Sequence, residues 1–76
     1  MSKPYELCDS LGDHFLYFLD CQLATVEDLE LLKNPPQGRL RRHRGIARKM
    51  IQAGRKHGLP VDNLSRVWNF EAKDSE

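Results

Sequence analysis

The 76 residues predict an all-α single domain, and three observations predict it. Apolar residues recur at helical spacing along the whole chain, with no stretch of strand-like alternation. Turn and stop residues punctuate it at Asn34-Pro35-Pro36 and Gly58-Leu59-Pro60. Residues 39–58 split into an apolar arc and a cationic arc when placed about 100° apart. Together these place four helices at about 4–22, 26–33, 37–57 and 61–70 around one core, followed by a frayed polar tail over 71–76. No internal repeat, low-complexity run or flexible linker divides the chain.

The first helix opens on Ser2 as an N-cap, with Pro4 in its first turn. Leu7, Leu11, Phe15, Phe18 and Leu19 keep the i, i+4, i+8 rhythm, and Tyr5, Leu16 and Leu23 widen the arc. Glu6, Asp9, Asp13 and Asp20 lie on the far side. A wide apolar arc needs more than one neighbour, so this helix is central to the core. Thr25-Val26-Glu27-Asp28 is close to a capping box and predicts a fresh helix start. Val26, Leu29 and Leu32 face inward on that short second helix. Asn34 precedes a proline, which disfavours helix there and ends it.

The third helix is the basic one. Its apolar arc holds Leu40, His43, Ile46, Ala47, Met50, Ile51, Ala53, Gly54 and His57. Its other arc holds Arg41, Arg42, Arg44, Arg48, Lys49, Arg55 and Lys56. Gly58 suits a left-handed C′ position, Leu59 can pack back on the last turn, and Pro60 forbids continuation. The fourth helix carries Val61, Leu64, Val67 and Trp68 at i, i+3, i+6, i+7, with Phe70 off that stripe and sealing an edge. The expected core is Leu7, Leu11, Phe15, Phe18, Leu29, Leu32, Ile46, Met50, Leu64 and Trp68.

The net charge of +1 hides a strong segregation. Residues 1–34 carry seven acids against two lysines, and residues 35–60 carry eight Arg or Lys and no acid. Residues 61–76 carry four acids against two bases. The near-neutral total therefore does not exclude a polyanionic partner, because the local field decides.

Other chemistries are poorly served. His14, His43 and His57 lack the i, i+4 spacing of a metal pair on a helix, and no glycine-rich loop follows a strand. Cys8 and Cys21 match no zinc pattern, and on one helix they lie too far apart for a disulfide, so both read as reduced thiols. No enzymatic activity, metal or cofactor is expected. Acids within Tyr5–Asp13 argue against a signal peptide, and no apolar run approaches the length of a membrane span. A cytoplasmic protein without membrane contact is expected.

Seven cations on one helical face, with no acid at i+4 to relieve them, point to a polyanion. Arginine dominates, and its planar fork suits phosphate and guanine. The expected function is a small non-catalytic nucleic-acid-binding regulator, with DNA favoured over RNA. Arg41, Arg44, Arg48 and Arg55 would carry most phosphate contacts. Gln52–Asn69 can also be threaded onto a helix-turn-helix pattern, with Arg66 and Asn69 on the second helix reading base edges. The alternative is a protein-interaction module, an adaptor or inhibitor, whose basic face docks on an acidic partner. Its acidic first helix and basic third helix would also allow a homodimer. Neutralisation of Arg41 and Arg48 within the molecule by the acids of the first helix would weaken both readings.

Overall fold

A computed structural model describes residues 11–74 and shows an all-helical chain with no strand among them. Three helices form: α1 Leu11–Leu31, α2 Gln37–Lys56 and α3 Ser65–Asp74, with a 3-10 turn at Val61–Asn63 between the last two. The expectations for Ser2, Pro4, Tyr5, Glu6, Leu7, Cys8 and Asp9 lie outside the described residues.

The first correction concerns residues 22–33. The two helices expected there are one, because no Gly or Pro interrupts Leu19–Glu30 and a single buried stripe runs through it. Leu19, Leu23 and Val26 are all at most 2% exposed and lie at i, i+4, i+7. Thr25 does not cap a new helix. Its hydroxyl donates back to the Cys21 carbonyl at 3.0 Å, the bond a threonine makes inside a helix. The helix ends at Leu31, where Leu32 turns back to the Leu29 carbonyl and Pro35-Pro36 leads into α2.

α2 begins after Pro36 and ends as its sequence predicts. Gly58 has φ +75°, its N–H donates to the Arg55 carbonyl, and the Leu59 N–H reaches back to Gly54 at 2.8 Å. This paired closure is the Schellman arrangement, which needs a residue free to adopt the left-handed region. Arg55 and Lys56 sit in the last turn, where the helix dipole favours cations.

The fourth predicted helix starts late. Leu64 has ψ 118°, an extended conformation that separates the Val61–Asn63 turn from α3. The break resets the phase. Val67 and Phe70 turn inward, at 0% and 6% exposure, and Trp68 turns outward at 65%. Phe70, expected at an edge, is core, and Trp68, expected in the core, is surface. The tail is not frayed over Glu71–Asp74, where α3 continues.

The core is Leu19, Leu23, Val26, Ala47, Ile51, Val61, Val67 and Phe70, with Phe15, Leu16, Leu40, Met50, Leu59 and Leu64 packed against it. Phe18, Leu32 and Ile46, expected inside, are exposed. Ala47, Ile51 and Gly54 form the inward stripe of α2 instead. Small residues at two of these positions let α1 approach closely, and a Cβ on Gly54 would lie 3.1 Å from Phe15 Cε2. Facing these residues inward turns α2 by about 40° from the centre of its apolar arc. The turn carries the near edge of the cationic arc toward α3. Gln22 adds one polar tie between α1 and α2: its amide nitrogen lies 2.9 Å from His43 Nδ1 and donates to the His43 carbonyl oxygen.

Candidate nucleic-acid interface

The rotation of α2 divides its seven cations into two groups. Arg44, Arg48 and Arg55 occupy the edge beside α3 and meet carboxylates there. Arg44 bonds Glu30 of α1 and lies 3.3 Å from Asp74. Its guanidinium also lies 5.3 Å from the centre of the Phe70 ring, within cation–π range. Arg48 takes Asp74 with two bonds, at 2.6 and 2.9 Å. Arg55 takes Glu71 with two bonds and Asp62 with a third. The hydrogen bonds from Glu71 first, and then Asp62, raise the Arg55 pKa well above the ordinary arginine value, so its charge is fixed at every working pH.

Of the two cations whose neutralisation by the first helix would weaken both readings, Arg48 is paired, but by Asp74 of α3, and Arg41 has no carboxylate among the described residues. The acids of these pairs come from α3, the turn before it and the end of α1, at separations of seven to thirty residues. Scanning for an acid at i+4 could not find them.

Asp74 closes the cluster from the C-terminal end. The Arg48 hydrogen bond, with Arg44 adding to it, holds its carboxyl below the usual carboxylate range against a smaller opposing effect of desolvation. A carboxyl whose folded pKa is depressed contributes stability above its unfolded value of about 4 and loses it as pH falls through the folded one. Asp74→Asn should therefore lower the urea midpoint near neutral pH. The difference from wild type should shrink as pH falls below the ordinary carboxylate range and through the depressed folded value, where Asp74 becomes protonated in both states. Urea titrations across that range check this.

Arg66 has also left its expected role. Its guanidinium is held by Asp20, at 3.0 and 3.1 Å, and by Glu27 at 3.2 Å, both on α1. Hydrogen bonds from Asp20 first and Glu27 second raise its pKa. It braces α3 on α1 and does not point outward as a base reader. Asn69 is exposed and lines a cleft of about 510 Å³ between α1 and α3, floored by Leu23, Val26 and Phe70.

The second group of cations is Arg41, Arg42, Lys49 and Lys56, all exposed. None has a carboxylate within salt-bridge distance among the described residues. Arg42, Lys49 and Lys56 are spaced by seven residues, which stacks them in one row about 10 Å apart. The row follows the outer side of α2, with Arg41 at its N-terminal end. A row of exposed cations on one side of a helix can contact successive phosphates without needing a fixed pocket.

Sequence reasoning missed Trp68 as a surface group. Its indole N–H donates to the Asp62 carbonyl at 2.6 Å. Only the phase break at Leu64 reveals that orientation, and nothing in the local pattern marks it.

Among the described residues no group of three His, Cys, Asp or Glu side chains could hold a metal ion. No described helix is long and apolar enough to cross a membrane. Cys21 is an exposed free thiol. No protein-family model, curated protein or solved structure matches the chain.

Proposed function

We propose that this chain is a small non-catalytic nucleic-acid-binding regulator whose contact surface is the outer arc of α2. One observation carries the reading: Arg41, Arg42, Lys49 and Lys56 share an exposed arc and have no internal carboxylate among the described residues. Arg44, Arg48 and Arg55 serve the fold, because each already holds a carboxylate. Arg66 braces α3. The contact set is therefore smaller than the charge count of the helix.

The reduced set has a measurable consequence. Each phosphate neutralised releases a counterion, so four contacts give a log–log slope of affinity against salt of about −3, and seven would give about −5 or steeper. Anisotropy titrations of labelled DNA and RNA between about 50 and 200 mM salt check it. Absence of binding at the lowest salt overturns the reading.

A second reading, a protein-interaction module docking its basic face on an acidic partner, is favoured by a different observation. Tyr17, Phe18, Leu31 and Leu32 are large and exposed, Leu31 at 83%. Phosphate backbones make little use of such side chains, whereas protein partners bury them. This reading expects a captured protein to survive nuclease treatment and to be released when Arg42 and Lys49 become Glu.

A further inference from the structure

We propose that Trp68 is a stacking platform for an unpaired base, so that the nucleic acid this surface takes is single-stranded; this rests on the nucleic-acid reading above and names its substrate class.

Trp68 is the chain's one tryptophan, and it is 65% exposed. An exposed indole is ordinarily free to rotate. This one is tethered, because its Nε1–H donates to the Asp62 carbonyl oxygen. The bond uses the ring's single donor on the protein and leaves the rest of the indole accessible. A ring fixed at its edge with an open face is pre-ordered for stacking, which lowers the entropy lost when a flat ligand lands on it.

Its position supplies the second half of the inference. Asp62 is shared: its backbone holds Trp68 and its carboxylate holds Arg55, which also holds Glu71, three residues from Trp68 on α3. Trp68 therefore stands beside the C-terminal end of α2. Lys56 follows Arg55 there and ends the Arg42–Lys49–Lys56 row. Arg55 balances one of the two carboxylate charges of Asp62 and Glu71, so one net negative charge remains beside the ring, against the three cations of the row. A backbone lying along that row would reach Lys56, one residue from the Arg55 that ties Asp62 and Glu71 to the end of α2. Single-strand recognition combines a cationic track with an aromatic face that bases stack on, whereas paired bases in a duplex are stacked on one another and unavailable.

The test uses the full chain, and Trp68 is its own reporter. Single strands of about 12 nucleotides, DNA and RNA, are titrated in low salt, beside the matching duplex, an abasic strand of equal charge and poly-glutamate. The expected result is quenching of Trp68 fluorescence by the base-bearing strands alone. Their affinity should exceed that of the abasic strand about tenfold. Trp68→Leu should lose that advantage and Trp68→Phe should keep most of it, with helix content checked for both by circular dichroism. Equal affinity for normal and abasic strands, equal affinity for the duplex, or unchanged fluorescence on saturation overturns the platform and leaves the phosphate reading standing. Failure of every nucleic acid to bind overturns both, and binding to poly-glutamate alone assigns the basic row to an acidic protein partner.

Discussion

Leu19→Ala is expected to destabilise the protein by about 3–4 kcal/mol, while Phe18→Ala costs less than about 1 kcal/mol. The two residues are neighbours, and by helical spacing alone both belong to the core. In the structure Leu19 is fully buried and Phe18 is 60% exposed, stacked edge-on to Tyr17 at 5.8 Å. Truncating Leu19 removes apolar contacts and leaves a cavity that helices pinned by ion pairs cannot easily close. A chain of this size has a total stability of roughly 4–10 kcal/mol, so the loss is a large part of it. Urea unfolding should show a much lower midpoint for Leu19→Ala and a nearly unchanged one for Phe18→Ala. Equal costs would show that α1 faces its neighbours through a different stripe.

Gly54→Ala should destabilise by about 1–3 kcal/mol, the reverse of what helix propensity predicts. A methyl group on Gly54 would lie 2.5 Å from Val61 Cγ1 and 3.1 Å from Phe15 Cε2. Val61 is completely buried and has no free space to retreat into, while Phe15 is partly buried against the core. The turn that carries Val61 must shift from α2 to admit the methyl, and Phe15 of α1 must give by a few tenths of an ångström. Gly45 is the matched control on the same helix. Nothing lies within 4 Å of a Cβ there, so Gly45→Ala should gain roughly 0.5–1 kcal/mol from the lower conformational freedom of the unfolded chain. Thermal or urea midpoints moving in opposite directions for the two substitutions would support the close crossing. A gain at both positions would contradict it.

The fold class and the C-terminal end of α2 were legible because they rest on local rules. Periodicity marks helices, and Gly58-Leu59-Pro60 carries its own stop signal. The single α1 was not legible, because Thr25-Val26-Glu27-Asp28 satisfies a capping pattern that the buried stripe overrides. The choice between Phe18 and Leu19, or between Ile46 and Ala47, lies inside a wide apolar arc. Any rotation within such an arc is compatible with the sequence, and packing against two neighbours selects one. The same uncertainty in rotation hid the division of the candidate site. Cations at Arg44, Arg48 and Arg55 look equivalent to Arg42, Lys49 and Lys56 on a helical wheel. Their different roles follow from Glu30 of α1, Asp62 of the 3-10 turn, and Glu71 and Asp74 of α3, which meet them only once these elements pack together. The phase break at Leu64 likewise decides that Trp68 is outside and Phe70 inside.

The division of the basic helix into a bracing edge and a contacting edge is tested most directly by two triple variants compared in one salt titration. The first is Arg42→Glu, Lys49→Glu, Lys56→Glu, and the second is Arg44→Gln, Arg48→Gln, Arg55→Gln, with circular dichroism reporting helix content for each. If the outer row is the binding surface, the first keeps its helices and loses salt-dependent binding, with a slope near zero. The second keeps a slope of about −3 while unfolding at lower urea. Binding that survives in the first variant and disappears in a folded second one would contradict that division.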